Sequence, residues 1–262
     1  MRLVYICFVL LSLASCQKVI SVNLNSTDPR YVIVGKITDQ PGYCEVSITR
    51  SKDFSQDNHF PTVSGATVTV ENNGVVTTLP ETDMGVYSTS SLTGQPGQTY
   101  SLAIHIGSET FSSTSTMPQP VDIDSLYVST GRLSTKKYVT VIYKDPPGIA
   151  NYYHFIQYVN GNKEPTVFVS DDEFTDGRTV KSELDFNNST DDPARDIKSG
   201  DSIRLEMICN DPAVYKYWYS LYNGATGANQ SASPSNPVSN ISGGAMGYFS
   251  AQTVRSRSVK VN

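Results

Sequence analysis

The chain has 262 residues, with 20 Lys and Arg against 25 Asp and Glu and a formal net charge of −5. That balance, with no basic block anywhere, argues against nucleic acid as a partner. A content of 38% hydrophobic and 17% charged residues is that of a folded chain, long enough for two small domains or one large β domain.

The first element is MRLVYICFVLLSLASC. A single charge, Arg2, precedes an apolar run from Leu3 to Leu13. The run is too short to span a bilayer as a helix and ends in small residues, so residues 1–15 read as a secretory signal. Its end, Leu13-Ala14-Ser15-Cys16, resembles a bacterial lipobox. The resemblance implies cleavage before Cys16, lipid on that cysteine, and attachment to a membrane through the lipid. Acyl chains contribute about 0.8 kcal/mol per buried methylene, so several on one cysteine hold a protein stably. Residues 16–29 then form the lipidated tether. Of the four cysteines, Cys7 leaves with the signal and Cys16 becomes the anchor. Cys44 and Cys209 remain. In an oxidising compartment they are either a disulfide or two buried thiols, and sequence alone supplies no distance.

From residue 30 to 118 short strand signals follow one another. Tyr31 to Ile37 is rich in β-branched residues, and Cys44 to Thr49 and Ala66 to Val70 alternate. Asn72-Asn73-Gly74 is a hairpin turn with Val75 to Leu79 as its return strand. Gly85 to Tyr87, Thr99 to Ile106 and Glu109 to Thr116 complete a small β-sandwich. The order Gly35 to Asp39, Val63 to Val70, Gly85 to Tyr87, Gly97 to Leu102 resembles the transthyretin-like or immunoglobulin-like modules of exported bacterial proteins, which implies a fold but no activity.

Met117-Pro118-Gln119-Pro120 is a connector, proline being excluded from ladder pairing. A second, β-rich domain occupies residues 119–262. Its strand signals are Lys136 to Tyr143, Tyr152 to Val159, Val167 to Val169, Ser202 to Cys209 and Gln252 to Val261, the last with Arg255 and Arg257 on one face. Asp171 to Asp196 reads as a polar surface loop or hairpin. One amphipathic helix is expected over residues 212–223, with Asp211 as N-cap, Pro212 at the first turn and Gly224 past the end. Val214, Tyr217, Trp218, Leu221 and Tyr222 share its apolar face. The fold class is therefore all-β with one helix.

The uncharged stretch SNPVSNISGGAMGYFSA, Ser235 to Ala251, raises its own question. Its glycines tolerate conformations closed to other residues. Gly243 and Gly244 are expected to pack against the helix face of Val214, Tyr217, Trp218 and Leu221, with Tyr248 and Phe249 filling the space beneath. A recognition surface of Tyr217, Trp218, Tyr222, Gly243, Gly244 and Tyr248 is the alternative.

His59, His105 and His154 share no metal spacing, no cysteine cluster exists, and no P-loop, dinucleotide fingerprint or nucleophile elbow occurs. No cofactor and no metal site is expected. Asp171, Asp172, Glu173 and Asp176 cluster before Gly177, but not at EF-hand spacing, and read as a solvated turn. Asp124-Ser125 and Asp201-Ser202 resemble O-glycosylation sites, which marks Ser125 and Ser202; the competing reading is an Asp-Ser turn opening a strand.

Five segments of the second half carry a wider resemblance: Asp145 to Phe155, Asp172 to Gly177, Ser199 to Ser202, Val214 to Leu221, and above all Asn236 to Ala251. With the lipobox and the front domain, they resemble the Bacteroidota lipoproteins grouped as domain of unknown function 4249. That resemblance implies an exported lipoprotein of the outer membrane, often accompanying TonB-dependent transporters. It supplies no catalytic residue and no ligand. The expected function is thus a non-catalytic accessory to such a transporter, in ligand capture or envelope organisation. The alternatives are a hydrolase on a captured glycan or peptide, and a structural or adhesive surface protein. Surface-exposed lipoproteins of that phylum often carry acids just after the cysteine. Here Gln17 and Lys18 follow Cys16, which leaves both faces of the outer membrane open.

Overall fold

The computed structural model describes residues 28–52, 59–131, 136–187, 192–225 and 236–262. The signal, Cys16 and nearly all of the tether lie outside the described residues. Strands β1 (Tyr31–Thr38), β2 (Cys44–Arg50), β3 (Thr67–Asn72), β4 (Val75–Leu79), β5 (Glu81–Asp83), β6 (Val86–Thr89), β7 (Thr99–Ile106) and β8 (Glu109–Thr116) come first. Then follow β9 (Ile123–Thr130), β10 (Lys137–Lys144), β11 (Tyr152–Val159), β12 (Asn162–Lys163), β13 (Phe168–Asp171), β14 (Thr179–Leu184) and β15 (Ser202–Cys209). Helix α1 (Pro212–Ala225) and the long strand β16 (Met246–Lys260) close the chain. The protein is all-β with, among the described residues, a single α-helix.

The front half pairs as its alternation dictates. The β3–β4 hairpin turns through Asn73 and Gly74, both at positive φ (49° and 80°), the geometry a two-residue hairpin demands. Strands β4-β3-β7-β8 form one sheet. Inward residues Val68, Val70, Leu102 and Ile104 meet Ile33, Ile37, Val46 and Ile48 of β1 and β2 in a buried core. In the back half, β14-β10-β9 form a second small sheet. Its Val139, Val141 and Leu184 pack on Tyr153, Phe155, Ile203, Leu205 and Met207 of β11 and β15.

The two halves are not separate sheets side by side. One nine-stranded sheet, in the order β12-β11-β15-β16-β1-β2-β6-β5 with β13 also on β11, roofs both cores. Strand β16 makes the join. Its first part pairs in parallel with β1, from Val32 opposite Met246 to Thr38 opposite Gln252. Its second part pairs antiparallel with β15, from Cys209 opposite Thr253 to Ser202 opposite Lys260. The end of the chain, assigned from sequence to the second domain, therefore completes the first: Ile241, Ala245, Phe249 and Ala251 belong to the front core. Below the join Arg255 binds Asp39 at 2.6 Å and Asp122 at 2.8 Å, clamping the end of β1 to the connector.

Other expectations change. Cys44 and Cys209 are free, buried thiols, one in each core. Strands β2 and β15 stand three strand spacings apart, about 14 Å, whereas a disulfide joins Cα atoms no more than about 7 Å apart. The segment 171–196 is not one surface loop, because β14 lies inside it and buries Leu184, with Phe186 just beyond. Nor is it a hairpin, since β13 pairs with β11 and β14 with β10. Helix α1 runs through Gly224 to Ala225.

The join has a steric condition. Gly247 sits at φ 105°, and a Cβ there would lie 1.9 Å from the carbonyl oxygen of Ile33. Gly247→Ala is expected to cost roughly 2–6 kcal/mol through overpacking and backbone strain, read as a lowered midpoint of thermal unfolding. An unchanged midpoint would mean that the parallel pairing does not hold the fold.

Candidate functional site

The inner face of the long sheet covers the cores, so alternation directs the intervening residues to the outer face. On β1 these are Lys36 and Thr38. The paired positions of β16 add Tyr248, Gln252 and Val254; β15 adds Glu206 and Ile208; β11 adds His154, Ile156 and Tyr158. Lys163 of β12 and Tyr43 of the β1–β2 loop stand at the margins, and Trp218 of α1 closes one side. Together they enclose a cavity of about 280 Å³.

Helix α1 is placed there by its cap. Asp211 accepts the Val214 N–H at 2.9 Å and the Ser115 hydroxyl of β8. Ser115 in turn accepts the Ala251 N–H at 2.8 Å, which ties the helix start to β16. Val214 is fully buried, and Tyr215 donates to Asp171 at 3.0 Å. Trp218 then reaches the sheet, its ring 4.4 Å from that of His154 and 5.3 Å from that of Tyr248. Tyr217 completes the cluster, 4.8 Å from Tyr248 and 5.4 Å from Trp218. Such tilted and edge contacts suit the ring quadrupoles and hold the indole in one place.

The electrostatics are uneven. Burial pushes the His154 imidazole down to about 3, and the ammonium groups of Lys163 and Lys36 add to the effect. His154 is thus neutral near pH 7. Burial also lowers Lys36, helped by Lys163 and opposed by Glu45 and Glu206. Among the described residues neither lysine has an ion pair. Glu206, in contrast, is engaged: it pairs with Arg204 and accepts the Tyr158 hydroxyl at 3.3 Å. Arg204 also stacks 3.7 Å from the centre of the Tyr158 ring.

Of the residues singled out from sequence, Trp218 and Tyr248 line the cavity and Tyr217 backs them. Tyr222 does not; with Tyr219 and Phe168 it borders a smaller cleft. Gly243 and Gly244 correct the expected packing unit. A Cβ on Gly243 would meet Thr110 and Phe111 of β8 at 2.4 and 2.9 Å, not the helix, and Gly244 presents its carbonyl to Arg30 at 2.6 Å. The loop meets α1 at its start, where the Val238 N–H donates to Ser220 at 2.8 Å. It then crosses to β8 and is pinned by Asn240, whose side chain bonds both the N–H and the carbonyl of Phe249. Phe249 lies in the front core rather than beneath the helix. Ser202 is exposed at the start of β15, whereas Ser125 is half-buried inside β9.

The acidic loop gains a member that the sequence did not suggest. Asp145, fully buried, joins Asp172 and Asp176 with carboxylate oxygens within 4.8 Å of one another. Burial holds the Asp145 carboxyl above the usual range. Each carboxylate anchors the chain: Asp145 accepts from the Tyr153 hydroxyl and the Gly177 N–H, Asp172 from the Asn151 N–H, and Asp176 from the Gly148 N–H. The cluster accordingly fixes two loops to each other.

The fold and the outer-face cavity define a β-rich protein whose two cores share one sheet. The chain belongs to the family described as Domain of unknown function (DUF4249), whose model matches residues 17–258. No curated protein matches it.

His154 gives this region a pH signature. Its proton affinity is lowered on folding, so below about pH 6.5 the unfolded chain takes up a proton that the native site refuses. The stability it contributes is present above pH 6.5 and is lost as pH falls toward 3, at a slope approaching 1.4 kcal/mol per unit. Wild type should therefore lose more stability between pH 6.5 and 4 than His154→Asn, measured by denaturant titration at each pH. Parallel curves would refute the neutral buried imidazole.

Proposed function

We propose that the protein is a non-catalytic, lipid-anchored ligand-binding component of the outer membrane, accessory to a TonB-dependent transporter. The observation that carries the binding part is the cavity between Trp218 and the outer face of the long sheet. It mixes aromatic walls with a few polar groups, the usual make-up of a small-molecule site, and its volume is at the lower end for such sites. Among the described residues lining it Glu206 is the one carboxylate, and that carboxylate is held by Arg204. Hydrolysis by paired acids needs a second carboxyl across the cleft, so binding is the better supported reading. The anchoring part rests on the lipobox. No helix among the described residues is long and apolar enough to cross a membrane.

Two measurements test the two parts. Cys16→Ala should move the protein from the membrane fraction to the soluble fraction; retention in the membrane would end the anchoring reading. For binding, the small molecules retained by the protein purified from its own cells are eluted and weighed by mass spectrometry. Ile156→Trp, which fills a half-buried position of the wall, should abolish their retention while changing the unfolding midpoint by only a few degrees. Identical eluates from both proteins would show that the cavity is not the binding site.

A further inference from the structure

We propose that the outer-face cavity takes a ligand with a single ring and a single carboxylate, the carboxylate lying between Lys36 and Lys163 and the ring against Trp218 and Tyr43. This deepens the binding reading above and rests on it.

The charge comes from two lysines on strands that are not neighbours, β1 and β12, converging on one cavity. Lys36 is half-buried and Lys163 is exposed at the cavity's margin; two like charges facing one cavity without an ion pair between them and a carboxylate favour an anion there. The Lys36 carboxylate neighbours do not fill that place: Glu45, its cross-strand partner, forms no ion pair with it, and Glu206 is held by Arg204. Burial and Lys163 both act against the charged form of Lys36, which an arriving carboxylate would favour. A carboxylate has two oxygens, one for each ammonium. Glu206 on the same wall disfavours a ligand with further negative charge.

The ring follows from the remaining walls. Tyr43 is half exposed and Trp218 half-buried, so both have aromatic surface to offer. His154 and Tyr248 fix the indole from behind. A cavity of about 280 Å³ suits one ring rather than a chain of them. Flat aromatic faces receive both sugar rings and aromatic acids, and the shared chemistry is a ring bearing one carboxylate.

Trp218 is the only tryptophan, so its fluorescence reports on the cavity directly. The full-length protein is titrated with glucuronate and with benzoate, and with the neutral partners glucose and benzyl alcohol, at low and high salt. One or both acids should change the emission saturably, at least tenfold more tightly than the matching neutral compound. Raising the salt should weaken that binding, and Lys36→Met and Lys163→Met should each weaken it tenfold or more. Which acid binds tells the acidic sugar from the aromatic acid. The proposal is overturned if neither acid acts on Trp218, if the neutral partner binds as well, or if both lysine variants keep full affinity. The broader binding reading is judged separately, by the eluted molecules and the Ile156→Trp variant. Those can succeed where the carboxylate fails.

Discussion

The rest of the structure depends on the parallel pairing of the first and last strands. Strand β1 alone would be the edge of a small sandwich and β15 the edge of another. Strand β16 fits between them and satisfies both ladders, so that two modest sheets become one roof over two cores. Parallel pairing leaves no room for error here. Gly247 brings its backbone against Ile33 at a distance no side chain permits, and Arg30 reaches across 214 positions of sequence to the Gly244 carbonyl. The uncharged, glycine-rich run before β16 has this as its purpose: it lets the chain turn through β8 and lie flat on β1.

The candidate site is a consequence of that join. Lys36 belongs to β1, Gln252 and Val254 to β16, Glu206 to β15 and His154 to β11, and Lys36 would not share a wall with Glu206 and His154 without β16 between the halves. The helix is set by the same join, because Ser115 links the Asp211 cap to the Ala251 N–H. Sheet, helix cap and cavity thus form one hydrogen-bonded unit, and a shift in any part displaces Trp218 from the wall.

How much of this was legible in the sequence follows from period and range. Strands with clean alternation, such as β3, β7 and β15, and the Asn73-Gly74 turn were readable, because local pattern determines them. The helix was readable from Asp211, Pro212 and its apolar stripe. Strand β14 was hidden, since its outward Thr179, Lys181 and Glu183 make a polar loop of what is a half-buried strand. That β16 serves both cores has no signal in the sequence, because pairing between distant strands leaves no local mark. The site was half visible. Trp218 and Tyr248 drew notice as bulky aromatics, whereas Lys36, His154 and Lys163 occupy outward positions of alternating strands, where a lysine or histidine is what a solvated face would show. Their convergence is a property of sheet order, which no single strand encodes.

The shared origin of fold and cavity has a thermodynamic consequence. A molecule that touches Lys36 on one half and Lys163 on the other can bind only when β1, β16, β15 and β11 are all in place. The unfolded chain has no such wall, so binding free energy adds to the stability of the whole, by about 2.7 kcal/mol at a hundredfold excess over the dissociation constant. The same linkage runs in reverse: weakening the β1–β16 pairing lowers affinity in proportion to the population in which the strands have separated. Position 247 lies on the buried side of this join, and a ligand held in the cavity would be coupled to it through the β1–β16 pairing.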